Sequence, residues 1–202
     1  MRRPRKKLTT ALITCSGCVQ AKGRRASVPA MTSSSMAYLL QRVFVDLAGP
    51  RNVTSAWGAL YLILFKDNVT RTSWLYHLGN KSAADVASAT TKFLADVGGG
   101  FKCFRKDNGS EFVNEIFAKL CSDQTICHEH TEVDGPNHNG VVERGLGMIQ
   151  EGGLGLGLEA PRLFLAQLPN LDRYWVEAVI YMNDCLNTTA TKTNACTRRH
   201  TK

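Results

Sequence analysis

Three acidic residues stand in local contexts that suit the binding of metal ions. Asp46 lies within the apolar segment 43–48, which a Gly-Pro turn closes. Asp107 begins the segment Asp-Asn-Gly-Ser-Glu-Phe, where we expect a strand to give way to a turn. Glu143 lies in the segment Asn-Gly-Val-Val-Glu-Arg, near the start of an expected helix, and 35 residues separate it from Asp107. Each acid alone is typical of a solvated surface, but their joint order and spacing favour a shared role.

Converging carboxylates are chemically suited to phosphoryl transfer. Cleavage or joining of a DNA phosphodiester requires charge neutralisation on the attacking and leaving oxygens, which two divalent cations about 3.5–4 Å apart provide. Mg²⁺ prefers oxygen ligands and needs only a few carboxylates. Without a cation, two unit charges about 4 Å apart repel by roughly 4 kcal/mol at an effective dielectric constant near 20. The three acids therefore predict a site for two Mg²⁺ or Mn²⁺ ions.

The acids and their flanks resemble the D,D(35)E catalytic core of retroviral and retrotransposon integrases, and most closely that of copia-type long-terminal-repeat elements. The resemblance covers residues 38–187. It implies a metal-dependent polynucleotidyl transferase that performs DNA 3′-end processing and strand transfer, with Asp46, Asp107 and Glu143 as catalytic metal ligands. It also implies retroelement ends and target DNA as partners, self-association, and action in the nucleus after a cytoplasmic stage in virus-like particles.

The residues around Glu143 suggest contacts with nucleic acid. The segment from Pro136 to Gly140 resembles the Pro-Gln-x-Asn-Gly loop that lies beside DNA in this family. The resemblance implies His138, Asn139, Arg144 and Lys106 as DNA contacts. For His138, an exposed loop histidine without a ligand is the alternative.

The order of the elements predicts an α/β, ribonuclease H-like fold with a five-stranded mixed sheet flanked by helices. Apolar segments predict strands at 43–47, 59–65, 72–78, 101–106 and 126–131. A helix is predicted from residue 82 to 97 and is ended by three glycines. A second helix is marked by Phe112, Ile116 and Leu120, and a helical stripe from Leu171 to Leu186 predicts another.

The helix that carries Glu143 contains six glycines between residues 144 and 157. Each interior glycine costs a helix about 1 kcal/mol relative to alanine. We therefore expect this helix to fray beyond about Gln150. Loose support for Glu143 would lower activity, because a misplacement of about 1 Å can cost on the order of 100-fold in rate.

The N-terminal segment is strongly basic. Residues 1–45 carry nine Lys and Arg and no acid, whereas the whole chain is +8, so residues 46–202 sum to −1. Such an arm favours a polyanion, although a solubilising or nuclear-targeting tail is an equal alternative. Cys15 and Cys18 resemble half of the family's zinc domain, and no histidine precedes them to complete four ligands. Zinc binding is therefore doubtful.

These features divide the chain into a basic arm with a zinc-domain remnant (1–37), an integrase core (38–158) and a truncated helical extension (159–202). No apolar run approaches the roughly 18 residues of a membrane span. Seven cysteines, an odd number, suit reduced thiols inside a cell. The alternative function is a catalytically decayed, integrase-derived nucleic-acid-binding module. A ribonuclease H proper ranks lower, because it needs a further carboxylate for which Asp85 is the early candidate.

Overall fold

The computed structural model describes residues 38–99, 102–106, 109, 112–130, 140–163 and 170–189. Five predicted site residues lie outside these ranges, namely Cys15, Cys18, Asp107, His138 and Asn139. Within the described part, no helix combines the length and apolar character needed to cross a membrane.

A five-stranded mixed sheet forms the centre of the fold. Its strands are β1 (Val43–Ala48), β2 (Tyr61–Asp67), β3 (Ser73–Leu78), β4 (Cys103–Lys106) and β5 (Cys127–His130). They lie in the order β3-β2-β1-β4-β5, with β1 to β3 antiparallel and β4 and β5 parallel to β1. The predicted fold class is confirmed, and the described strand ends fall within two residues of the predicted ones.

In the part of the chain that the structure describes, four helices and one 3₁₀ turn flank the sheet. They are α1 (Ala83–Val97), α2 (Glu115–Asp123), α3 (Gly140–Leu163), the 3₁₀ turn (Leu171–Tyr174) and α4 (Trp175–Thr188). Helix α1 begins where the Ser82 side chain accepts a hydrogen bond from the Asp85 backbone N–H, 3.2 Å away. It ends at Gly98, whose φ of +70° is the left-handed conformation expected of a C-terminal glycine. The predicted bounds of this helix are confirmed.

Helices α1 and α2 cover one face of the sheet with an aromatic core. The ring of Phe65 stacks on that of Phe93 with centroids 4.4 Å apart, and Phe104 lies 5.7 Å from Phe117. The predicted second helix is confirmed as α2, but two of its three marker residues are wrong. Asn114 caps the helix through the Phe117 N–H, so Phe112 precedes α2, and Ile116 is 52% exposed. Phe117 and Cys121 are the buried residues of the helix, and Leu120 packs partly against the core.

Helix α3 covers the opposite face of the sheet. Val142, Leu146 and Ile149 are buried and recur at spacings of four and three, which places them on one side of the helix. They pack in one cluster with residues of β1 and β2 and with Val179 of α4; the strand residues are Phe44, Leu62 and Leu64. The helix is thereby fixed both in position and in rotation about its axis.

Helix α3 is continuous to Leu163, so the predicted fraying beyond Gln150 is wrong. Tertiary packing overrides the low helix propensity of its glycines. A Cβ built on Gly153 would lie 2.6 Å from Cγ1 of Val179 and 3.1 Å from its Cα, and one built on Gly152 would clash with the side chain of Met182. The glycines therefore let α4 approach α3 more closely than larger residues would allow, and this packing stabilises the helix.

Helix α4 also covers the edge strand β3. The side-chain amide of Asn187 accepts from the Ser73 N–H at 2.9 Å and donates to the Ser73 carbonyl at 2.7 Å. Asn183 accepts from the Ser73 hydroxyl at 2.7 Å. Both asparagines are buried, and their amides satisfy the hydrogen-bonding groups of Ser73 at the start of this edge strand.

Candidate metal centre

Asp46 lies on the α3 side of the sheet. Successive side chains of a strand alternate between faces, and the neighbours of Asp46 at two-residue spacing, Phe44 and Ala48, pack in the cluster beneath α3. The Asp46 carboxylate is partly exposed, and its Oδ1 accepts a hydrogen bond from the Leu47 N–H at 2.9 Å. This contact orients the carboxylate close to the carboxyl end of β1.

Glu143 lies in the first turn of α3 and is exposed. It directly follows Val142, which is fully buried against the sheet, so the rotation of α3 that buries Val142 also sets the direction of Glu143. An acid in the first turn interacts favourably with the positive end of the helix dipole. Two of the three predicted acids, Asp46 and Glu143, therefore lie on the same side of the sheet.

Asp107 lies outside the described residues, directly after the last residue of β4. Strand β4 is parallel to β1, with Val43 beside Phe104 and Phe44 beside Arg105. The carboxyl ends of β1 and β4 thus meet at one edge of the sheet. Among the described residues, no group of three or more His, Cys, Asp and Glu could hold a metal ion. Asp107 is not a described residue, so this finding does not apply to the complete triad.

The donor set fits hard divalent cations. The described candidates are two carboxylates, and no described thiol or imidazole stands with them in a metal-binding group. Oxygen donors of this kind suit Mg²⁺ or Mn²⁺, which retain water and bind substrate phosphates in their remaining positions. Asp46 and Glu143 are therefore the described residues that could hold such ions.

Lys66 is a cation on the same face of the sheet that the sequence analysis did not single out. It is 6% exposed, and its Nζ lies 3.2 Å from the position that a Cβ on Gly145 would occupy. Gly145 follows Glu143 by two residues, so the ammonium group lies under the first turns of α3. Its position depends on the packing of β2 against α3, which no local motif reveals.

The burial of Lys106 argues against its predicted contact with nucleic acid. Its side chain is 1% exposed, and its Nζ donates to the Phe112 carbonyl and lies 4.5 Å from the centroid of the Phe117 ring. The ammonium group is thus held inside the protein by a carbonyl and an aromatic face. It bridges the two ends of the segment 107–111, which contains Asp107.

Arg144 is exposed and lies near Arg71 of the turn between β2 and β3. Burial lowers the pKa of Arg71, the carboxylate of Asp67 raises it, and the charge of Arg144 lowers it further. The two residues are 73 positions apart in sequence, and their charges interact only in the folded chain. Together they form a basic patch near the start of α3.

Residues 39–136 match the family model described as "Integrase core domain". The chain is 33% identical over 174 residues to the retrovirus-related Pol polyprotein from transposon TNT 1-94 of Nicotiana tabacum, an alignment that covers 84% of this chain and 12% of that protein. It is 31% identical over 149 residues to the corresponding polyprotein from transposon RE1 of Arabidopsis thaliana, covering 71% of this chain and 10% of that protein. The chain thus spans about a tenth of the length of these relatives.

Solved integrase structures share the fold. The HTLV-2 integrase catalytic core in complex with magnesium matches with a TM-score of 0.59 at 19% identity, covering 79% of this chain and 93% of that one. The BIV integrase catalytic core matches with a TM-score of 0.56 at 13% identity, covering 75% and 86%. A chain of the simian T-cell lymphotropic virus intasome complex matches with a TM-score of 0.66 at 15% identity, covering 83% and 56%.

The sheet order and the helices on both faces define a ribonuclease H-like fold, which this chain shares with the retroviral integrase cores. The chain belongs to the integrase core family, and its curated relatives are the Pol polyproteins of copia-type retrotransposons.

Proposed function

We propose that this chain is the catalytic core of a retrotransposon integrase that processes DNA 3′ ends and joins them to target DNA. The observation that carries this proposal is the placement of Asp46 and Glu143 on the same side of the sheet, each held by buried neighbours. Asp107, which follows β4 directly, would supply the third carboxylate at the edge where β1 and β4 end together.

The carboxylates would hold two Mg²⁺ or Mn²⁺ ions, in keeping with the magnesium in the HTLV-2 core structure. When bound, such ions neutralise charge on the attacking and leaving oxygens of the phosphodiester. The protein's own part is to keep its carboxylates in a fixed geometry. Leu47 N–H orients Asp46, and the buried side of α3 orients Glu143. A rigid frame of this kind is what positioning of the reactants requires.

Contacts with DNA would come from two regions. Arg144 is exposed near the start of α3 and its charge acts on that of Arg71, so a phosphate backbone could bind to this basic patch. The basic arm of residues 1–37 would add contacts that do not depend on base sequence. His138 and Asn139 remain predicted contacts in the segment between β5 and α3. Action in the nucleus and self-association are part of the same proposal.

The test is strand transfer by the full chain and its Asp107→Asn variant. A labelled DNA duplex with a free 3′-hydroxyl end is incubated with a supercoiled plasmid in Mn²⁺ or Mg²⁺, and covalent joining is measured. We expect joining by the parent chain and a loss of at least about 100-fold in the variant, since a metal ligand is removed. Binding of the same DNA should be nearly unchanged, because asparagine is isosteric with aspartate.

Two other outcomes would change the proposal. Equal joining by both proteins would remove Asp107 from the mechanism. DNA binding by both proteins without joining by either would support the alternative, a nucleic-acid-binding module that has lost catalysis. Zinc in the arm, with Cys15 and Cys18 as ligands, can be measured on the same protein by elemental analysis.

A further inference from the structure

Two cysteine thiols lie against each other across the pair of strands β4 and β5. Cys103 and Cys127 are direct neighbours in the parallel register of these strands. The Cys103 thiol donates a hydrogen bond to the sulfur of Cys127 over 3.1 Å. Both are free cysteines. Neither residue takes part in the candidate metal centre.

We propose that Cys103 and Cys127 form a reversible disulfide when the protein meets a peroxide. A disulfide requires the two Cα atoms to lie within about 7 Å and the Cβ vectors to converge. Neighbouring residues on paired strands meet the first condition, since paired strands lie about 5 Å apart. The contact between the two sulfur atoms meets the second.

The two thiols have different accessibilities, and this difference assigns their roles. Cys127 is exposed, whereas Cys103 is 7% exposed. Burial raises the pKa of the Cys103 thiol, and its hydrogen bond to Cys127 and the nearby carboxylate of Glu129 raise it further. Because the thiolate is the reactive form, Cys127 is the sulfur that reacts with an oxidant from solvent and Cys103 is the one that resolves the product.

The reaction balances with hydrogen peroxide as the oxidant. The Cys127 thiolate attacks one peroxide oxygen, the O–O bond breaks, and Cys127 becomes a sulfenic acid while the other oxygen leaves as water after protonation. The Cys103 sulfur then attacks the Cys127 sulfur, the S–S bond forms, and the S–O bond breaks with release of a second water. The two thiols supply the two electrons that reduce the peroxide.

The disulfide would join two strands at the end opposite the metal centre. Cys103 is the first residue of β4 and Cys127 the first residue of β5, whereas Asp107 follows the last residue of β4. Oxidation would therefore leave the candidate metal centre, at the carboxyl ends of β1 and β4, accessible. It would link positions 24 residues apart, across α2, and tie the edge strand β5 to its neighbour.

The experiment treats the reduced full chain with limiting hydrogen peroxide, blocks the remaining thiols, and maps the peptides without reduction. Trypsin cuts after Lys102, Arg105, Lys119 and Arg144, so the expected product joins peptide 103–105 to peptide 120–144. The joined pair should be lighter than its two parts by two hydrogen atoms, and dithiothreitol should separate it.

Peptide 120–144 also carries Cys121, so matched variants are needed. Cys121 is buried, and burial raises the pKa of its thiol to about 11. The joined peptides should persist in Cys121→Ser and vanish in Cys127→Ser. Circular dichroism of both variants checks folding, and the exposure of Cys127 makes its substitution mild.

Thermal unfolding gives a second readout. The oxidised parent chain should melt on the order of 5 °C higher than the reduced chain, because the cross-link restricts the unfolded state. The Cys127→Ser variant should show no such rise. Joined peptides that persist in Cys127→Ser, disulfides between molecules only, or no joined peptide at all would each overturn the proposal.

Discussion

At the scale of single residues, neighbouring groups orient the candidate carboxylates, and a buried cation, Lys106, packs with aromatic residues on the other face of the sheet. Asp46 is oriented by the Leu47 N–H, and Glu143 by its buried neighbour Val142. Lys106 is enclosed by the Phe112 carbonyl and the Phe117 ring. Lysine is seldom fully buried without a partner, so the enclosure of Lys106 marks a specific structural role.

Replacement of Asp46 by asparagine should abolish Mg²⁺ binding without unfolding the protein. The asparagine oxygen can still accept from the Leu47 N–H, whereas the negative charge that attracts a cation is gone. Mg²⁺ should raise the melting temperature of the parent chain, since a ligand that binds only the folded state stabilises it, and should leave that of the variant unchanged. Thermal unfolding with and without Mg²⁺ measures both effects.

The control for this prediction is Asp123→Asn, an exposed carboxylate at the end of α2. This variant should keep the full Mg²⁺ response. An Asp46→Asn variant that responds to Mg²⁺ as strongly as the parent chain would exclude Asp46 as a ligand.

Replacement of Lys106 by methionine should destabilise the protein by about 1–3 kcal/mol. Methionine fills a similar volume, but it leaves the buried Phe112 carbonyl without its donor. Lys102→Met, at an exposed position just before β4, should change the free energy of unfolding by less than about 0.5 kcal/mol. Urea unfolding measures the free energy of unfolding of both variants. Equal values would show that the enclosure of Lys106 does not stabilise the fold.

At the scale of elements, helix α3 joins the sheet, helix α4 and the acid Glu143. Its apolar side packs on β1 and β2, and Gly152 and Gly153 contact α4. Glycine therefore has opposite effects at different positions of the same helix. It is required where another helix approaches closely, and it only lowers helix propensity where the surroundings are open.

Alanine substitutions at these two kinds of position in α3 should change the free energy of unfolding in opposite directions. Gly153→Ala places a methyl group 2.6 Å from Cγ1 of Val179, so we expect a loss of about 1–3 kcal/mol from overpacking. Gly157→Ala meets no atom within 4 Å, so we expect a gain of about 0.5–1 kcal/mol from helix propensity. Chemical denaturation measures both, and a stabilised Gly153→Ala would contradict the close packing of α3 and α4.

At the scale of the whole molecule, the positive charge lies mainly outside the core. Residues 1–37 contain eight Lys and Arg and no acid, and the chain is +8, so residues 38–202 are neutral overall. Electrostatic attraction to DNA should thus come mostly from the arm, and the patch formed by Arg71 and Arg144 should contribute locally.

Replacement of the eight basic residues of the arm by glutamine should weaken DNA binding and make it less dependent on salt. Each phosphate contact that is lost lowers the slope of log Kobs against log salt by about 0.9 for duplex DNA. The double variant Arg71→Gln, Arg144→Gln should lower the slope by no more than about 2 on the same basis. Salt titrations of duplex binding compare the three proteins, and an unchanged slope in the arm variant would exclude the arm as a DNA contact.

Much of the architecture could be predicted because its determinants are local. The strands were recognisable as short apolar runs, and α1 from the glycines that end it at Gly98. The stripe of α2 was misassigned because the Asn114 cap moves the start of the helix and so changes the buried side to Phe117 and Cys121.

The sequence by itself determined the order of elements, the family and the candidate acids, because motifs and periodicity are local properties of the chain. Only the tertiary structure decided which glycines of α3 are tolerated, since their cost depends on what α4 places against them. It alone also brought Arg71 beside Arg144, enclosed Lys106 and paired Cys103 with Cys127. Such contacts join residues that are distant along the chain, and their energies arise from packing that no local pattern encodes.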